Sequence, residues 1–321
     1  MEVRFFGEFE ALAGGVPVPV RGTKQRTVLA LLALQRGGPV SADRLIDVLW
    51  GDGQVANAAN ALQAQIGQLR RALGATAVVT SEAGYALDVG PDDVDAARFE
   101  QLVAKGRRLL EEGETALASS TLGEALQLRR GEPLSEFAYA GFADAERAHL
   151  DDLTLVAIEA RAEADLVLGR HGELVGELEA LCREHPLRER LWELLMLALY
   201  RAGRQAEALR AYSQARDHLV DELGIDPGPA LRQLEARILA QDPSLAAVGP
   251  ARLQTVAAPM ATGNLRERLS SFVGRSTELE ELKGVVRRRS QTGRSSTRWS
   301  RSSSTSWTTS PSAVHQAGPR S

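Results

Sequence analysis

The chain has one cysteine, Cys182, among 321 residues, which excludes an intrachain disulfide and any multi-cysteine zinc site. Long apolar runs are missing too. Near the N-terminus the longest uncharged apolar run, Thr27 to Gln35, is far too short to cross a bilayer. The opening MEVRFFGEFE has an early acid and none of the apolar stretch of a signal peptide. A cytoplasmic location with no membrane partner is the expectation. G-x-S-x-G, H-E-x-x-H and paired carboxylates in a pocket-like setting are all absent, so no catalytic residues and no cofactor are expected. Cys182 and His185 lie three apart with His171 nearby. However, Cys182 falls on an apolar helix face and His185-Pro186 reads as an inter-helix turn, so no metal is expected either. The most informative absence is local. From Gly53 to Ser81 there is no acidic residue, in a chain with 42 acids, 38 bases and a net charge of −4. With a pI near 5.9, binding to nucleic acid by bulk charge is excluded, and any basic surface must be confined to one place.

That place is the stretch from Val55 to Leu73, VANAANALQAQIGQLRRAL. Ala58, Leu62, Ile66 and Leu69 recur at helical spacing and form one apolar seam. The opposite face carries Asn57, Asn60, Ala64, Gly67, Gln68 and Arg71, with Gln63 and Arg70 on a flank. Amides and arginines without carboxylates suit a DNA groove. Arginine can bond guanine O6 and N7, asparagine and glutamine can bond adenine N6 and N7, and a carboxylate would repel phosphate.

The flanking segments read as follows. Val3 to Phe9 and Val16 to Val20 are strand-like runs separated by Ala13-Gly14-Gly15. TKQRTVLALLALQRGG is a helix stopped by Gly37-Gly38-Pro39. Ser41 offers an N-cap for ADRLIDVLW, whose Leu45, Ile46, Leu49 and Trp50 make a buried stripe. After the acid-free helix, Ala77 to Thr80 and Tyr85 to Val89 form a hairpin across Ser81-Glu82-Ala83-Gly84. Sheet, three helices and hairpin outline a winged helix expected to close its own core. Its third helix would enter the major groove, and the hairpin, with Ser81 and Gly84, would lie against the adjacent backbone. The Tyr85 ring should pack beneath the hairpin strand. The loop of Gly51, Asp52, Gly53, Gln54 and Val55 is longer than a tight helix-turn-helix turn and is left free to touch another protein.

These blocks resemble the Streptomyces antibiotic regulatory protein (SARP) family of transcriptional activators, whose DNA-binding domain is similar to that of OmpR-type response regulators. The resemblance rests on QR at 25–26, SADRLIDVLWG at 41–51, ANALQ at 59–63, LRRALG at 69–74 and GYALDV at 84–89. Where family members often carry Ser-Arg before the LRR, this chain has Gly67-Gln68, one arginine fewer. The resemblance implies double-stranded DNA with a direct-repeat operator as partner, a homodimer aligned head to tail on DNA, and recruitment of RNA polymerase holoenzyme through exposed surfaces of both domains, the 51–55 loop among them, at secondary-metabolite (antibiotic) biosynthesis genes.

Beyond residue 94 helical periodicity takes over. Asp95 can cap a helix over AARFEQLVAKGRRLLEEG. A second helix follows Gly113, and a long third runs from about Gly141 to Leu168. The Gly-Arg pair at 169–170 recurs at 203–204, a 34-residue period that matches stacked tetratricopeptide-like helix pairs. DVDAARFEQLV, HPLRERLWELLMLALYRAGRQAEALRAYSQAR and DELGIDPGPAL resemble the bacterial transcriptional activation domain that follows the winged helix in SARP proteins.

Residues 246–263 read as a linker rich in Ala, Pro and Gly. NLRERLSSFVGRSTELEELKGVV, within 264–286, resembles the start of the NB-ARC-like ATPase domain of larger family members. No P-loop follows it. Acids end at Glu281, and 287–321 is a Ser/Arg-rich stretch that cannot bury a core. It reads either as an out-of-frame remnant in place of the ATPase or as a basic disordered tail that adds nonspecific DNA affinity. The expected fold is mostly α with a small β part: a winged helix over 1–93 and an all-α helical-repeat domain over 94–245. The expected function is sequence-specific transcriptional activation. The rival readings are a helical-repeat signalling scaffold and a remnant of a nucleotide-binding regulatory ATPase with impaired DNA binding.

Overall fold

Glycines at positive φ divide the first twenty residues. Gly7 turns the chain at φ +84°, and Gly14 and Gly15 adopt +59° and +81°, conformations that cost a glycine little. A computed structural model describes residues 1–51 and 57–246. In it three strands form, β1 (Glu2–Arg4), β2 (Glu10–Ala13) and β3 (Val16–Pro17), antiparallel with β2 in the centre. The single strand expected over Val3 to Phe9 is corrected here. Gly7 ends it, and Glu10–Ala13, read as a connection, supplies the central strand.

Three helices follow. In α1 (Thr23–Leu34) the six consecutive residues Val28 to Ala33 are all buried, so the helix runs through the interior. In α2 (Ala42–Trp50) the Ser41 hydroxyl oxygen accepts from the Arg44 amide at 3.2 Å, the expected N-cap. In α3 (Ala58–Leu73) the seam of Leu62, Ile66 and Leu69 faces inward, fully buried. Each such side chain contributes about 1.5–3 kcal/mol on burial. The hairpin of β4 (Val78–Ser81) and β5 (Gly84–Leu87) closes with a two-residue turn, Val78 opposite Leu87.

Among the described residues seven further α-helices follow: α4 (Asp95–Glu111), α5 (Thr115–Gln127), α6 (Asp144–Val167), α7 (His171–Glu184), α8 (Glu189–Arg201), α9 (Gln205–Leu223) and α10 (Pro229–Leu239). Their turns repeat one geometry. After α4, α6 and α8 a glycine at φ +76° to +81° is followed by a residue whose amide bonds back to the last helical turn: Glu114 to Leu109 O, Arg170 to Asp165 O and Arg204 to Leu199 O, each at 2.9 Å. This is the Schellman ending that favours glycine. The 34-residue period caught two of the three turns. Gly113, read as a helix end on its own, stands outside that period because the α5–α6 connection, with its short 3-10 turn, puts it out of step.

Burial does not divide the molecule at residue 93. One core joins the strands, α1 to α3 and the hairpin to Phe99, Val103, Leu122, Phe137 and the first part of α6 as far as Ala160. A second core begins at Ala162 of the same helix and takes in α7 to α10. Aromatic rings hold the first core together across long separations: Phe6 against Phe99 at 5.3 Å and Phe9 against Phe137 at 5.1 Å. Backbone bonds reinforce them, since the Gly7 amide donates to Glu132 O at 3.0 Å and Leu134 N to Phe5 O at 2.9 Å.

Asp95 is corrected as well. It does not cap its own helix; Val94 holds that position. The Asp95 carboxylate is buried, and it accepts from the amides of Phe5 at 2.7 Å and Phe6 at 3.2 Å, with Arg130 3.5 Å away. It satisfies the two amides exposed where β1 gives out. Burial pushes its pKa up, and the amide bonds and Arg130 only partly oppose this.

No helix among the described residues is long and apolar enough to cross a membrane. The expected linker, ATPase start and Ser/Arg-rich tail lie outside the described residues.

Candidate nucleic-acid interface

The side of α3 away from Leu62, Ile66 and Leu69 is exposed. Asn60, Gln63, Ala64 and Arg71 stand in solvent, and Gly67 is half-buried among them with open space where a Cβ would sit. Their spacing of three or four residues puts them on one strip along the helix. Arg71 lies over the strip, its Nε donating to the Gly67 carbonyl at 3.2 Å.

The other five residues expected at DNA are engaged within the protein. Asn57 is the N-cap of α3, its side-chain oxygen accepting from the Asn60 amide at 3.1 Å. The Gln68 side-chain oxygen accepts from the Gln25 side chain on α1. Arg70, read as a phosphate contact, turns toward the wing. Its Nε and Nη2 donate to the Val78 carbonyl at 2.9 and 2.8 Å, and Nη2 also reaches Thr80 Oγ1 at 2.7 Å. A guanidinium eight residues before Val78 can satisfy that strand carbonyl, and this fixes the hairpin against the end of α3. The Ser81 hydroxyl donates to the Gly84 carbonyl at 3.3 Å across the wing turn. Gly84, at φ +128°, passes so close to α2 that a Cβ there would lie 2.0 Å from the Val40 carbonyl oxygen. Its neighbour Tyr85 exchanges both backbone bonds with Val40, at 2.8 and 2.9 Å, and the Tyr85 ring packs half-buried against the first core.

Helix α2 therefore starts beside the wing. Arg44 stands exposed in its first turn with no ion pair among the described residues. Sequence reading passed over it. The available signal was a cation at the positive end of a helix, where the dipole disfavours it. Of the loop 51–55, only Gly51 lies within the described residues. It is exposed at φ +54°, and its amide donates to Asp47 O at 2.7 Å to end α2.

Cys182 is buried on α7, and that burial pushes its thiol up to about 12; it is a packed apolar group. No cluster of three His, Cys, Asp or Glu residues placed for a metal occurs among the described residues.

Comparison with known proteins gives the family. Residues 20–87 match the transcriptional regulatory protein, C-terminal family, and residues 94–239 match the bacterial transcriptional activator domain. The chain is 40% identical over 261 residues to the regulatory protein DnrI of Streptomyces peucetius, covering 78% of this chain and 96% of that one. It belongs to the SARP family of transcriptional regulators. Regulatory protein AfsR of Streptomyces coelicolor is 39% identical over 285 residues, and the match spans 88% of this chain but only 28% of that relative's length. A solved structure of Mycobacterium tuberculosis EmbR in complex with a low affinity phosphopeptide shares the fold at a TM-score of 0.72. It has 35% identity and covers 75% of this chain and 65% of that one. The winged helix followed by a helical domain is thus the family architecture, and regulation of transcription is the family's role.

Proposed function

We propose that this SARP-family regulator is a sequence-specific activator that lays α3 in the major groove of double-stranded DNA. One observation carries the reading: the exposed strip of Asn60, Gln63, Ala64, Gly67 and Arg71, on a helix with no acid in its first turn and arginines in its last. Asn60 and Gln63 have the donors and acceptors for adenine, and Arg71, swung off the Gly67 carbonyl, has the fork for guanine. Gly67 removes a side chain at the middle of the strip and lets the duplex come close. Arg44 and the wing would meet phosphates on either side. Arg70, Gln68 and Asn57 then act as supports, holding the helix and the wing in register.

In this reading residues 1–93 recognise DNA and residues 94–245 arrange protomers. Two copies sit head to tail on a direct repeat as a homodimer on DNA, and the loop 51–55 meets RNA polymerase holoenzyme. Family membership and the Streptomyces relatives support antibiotic-type biosynthesis genes as targets.

The test is a gel shift of the full chain on its own upstream intergenic DNA and on a scrambled duplex, at two salt concentrations. A specific complex should persist at the higher salt while the scrambled one dissolves, since affinity falls by a power of about 0.9 for each phosphate contact. Equal affinity for both duplexes at both salts would overturn sequence-specific binding.

A further inference from the structure

The second core has a cavity that the DNA-binding reading does not use. It measures about 380 Å³ and lies between the last turns of α6, the middle of α8 and the start of α10. Leu166, Val167, Leu194, Leu197 and Leu234 supply apolar lining, charged side chains supply much of the rest, and the exposed Ala230 also lines it. That volume falls within the usual range of sites for small ligands, about 300–1,000 Å³.

Arg201 also lines it. Its Nε donates to the Leu245 carbonyl at 3.0 Å and its Nη1 to the Leu166 carbonyl at 2.9 Å. Nη2 bonds nothing among the described residues, and no carboxylate there pairs with this guanidinium. Burial lowers the Arg201 pKa, and no neighbouring acid raises it back. The other charges at the cavity are already matched. Arg190 holds Glu163 at 2.7 Å and Glu193 at 2.8 Å, while Arg237 holds Asp242 at 2.9 Å. One half-buried cation is thus fixed by two carbonyls beside apolar side chains, and its Nη2 has no partner among the described residues. Two carbonyls offer partial charges only, and a guanidinium in such surroundings gains most from a charge-assisted bond to an anion.

We infer that this cavity is a binding site for a small organic acid carrying one carboxylate and an apolar chain, with Arg201 Nη2 and the carboxylate paired and the chain against the leucines. A cation is disfavoured by Arg201. A dianion such as a phosphate monoester is disfavoured by Glu163 and Glu193, which lie on the same lining. The site is remote in sequence from α3 and does not rest on the DNA-binding reading.

The experiment is calorimetric titration of the full chain with decanoate below its micelle threshold, alongside decan-1-ol and acetate. Decanoate should bind saturably, one per chain; decanol should bind at least about tenfold more weakly, the worth of a charged hydrogen bond, and acetate at least about tenfold more weakly because it lacks the chain that the leucines bury. Arg201→Gln should lose about the same factor. Ala230→Trp, at an exposed position, should block the cavity without changing the melting temperature, and it serves as the second variant if Arg201→Gln fails to fold. Absence of saturable binding, decanol binding as tightly as decanoate, or undiminished binding in Ala230→Trp would each overturn the assignment. Gel shifts on DNA are a separate readout, so failure here leaves the α3 reading standing.

Discussion

The two cores of this protein are assembled by different means. The first draws residues 3–9 against residues 94–137 through four phenylalanines, two isolated β-bridges (Val3 to Val94 and Phe6 to Pro133) and the Asp95 carboxylate. The second is built from consecutive helices, each packed on the next across a short turn, with mainly aliphatic residues between them. Contacts in the first are distant in sequence and those in the second are local, so the first carries the larger loop-closure entropy and depends on more of the chain at once. Helix α6 belongs to both, contributing Leu150 and Ala157 to one and Ala162 and Leu166 to the other. Helices α1 to α3 therefore do not close a core alone; they share theirs with α4, α5 and half of α6.

The largest effect follows from cutting that arrangement. A fragment ending at Val94 loses Asp95, Phe99 and Phe137 together, and it should show no cooperative thermal transition. A sharp two-state melt by circular dichroism would put the boundary of the first core back at residue 93. Next comes Phe137→Ala, expected to cost about 3–5 kcal/mol and to lower hydrogen-exchange protection in α1 and α3, more than sixty residues away in sequence. Leu195→Ala in the second core should cost about 2–5 kcal/mol, yet leave protection in α1 unchanged while α8 opens. Equal loss in both places would mean that the two cores open as one.

Asp95→Ala should cost about 1–3 kcal/mol by orphaning buried amides, with the loss read at Phe5 and Phe6 in exchange experiments. The smallest effects come from a pair of helical glycines on facing helices. Gly123→Ala enters open space and should stabilise the protein by about 0.5–1 kcal/mol. Gly106→Ala should destabilise it instead, because the new Cβ would lie 2.5 Å from Cγ of the fully buried Leu122. Opposite signs for one substitution type in thermal melts would confirm how closely α4 and α5 approach.

What could be read from the sequence was whatever depends on neighbours along the chain. The seam of Leu62, Ile66 and Leu69, the Ser41 cap, the hairpin at 78–87 and the Gly169 and Gly203 turns all follow from spacing within a few residues. What stayed hidden depends on partners far away. Asp95 sits where an N-cap is plausible, and only the arrival of Phe5 and Phe6 from ninety residues upstream gives it another task. Glu10–Ala13 is weakly strand-like and becomes the central strand because it has a partner on each side. On α3, periodicity correctly separated the inward face from the outward one. It could not tell which outward side chains were taken, because the Gln25 amide and the Val78 carbonyl that hold Gln68 and Arg70 belong to other elements.

The strip on α3 is the centre of the account, and one pair of substitutions tests it most directly. Ala64 is exposed in the middle of the strip, and Ala104 is equally exposed on α4. Both should accept glutamate with unchanged melting temperature. Ala64→Glu places a carboxylate against the phosphates and bases, and like-charge contact of this kind costs several kcal/mol, so its gel shift on the specific duplex should weaken by about a hundredfold or more. Ala104→Glu should bind as the unaltered protein does. If Ala64→Glu folds normally and still binds the specific duplex with undiminished affinity, α3 is not the recognition helix.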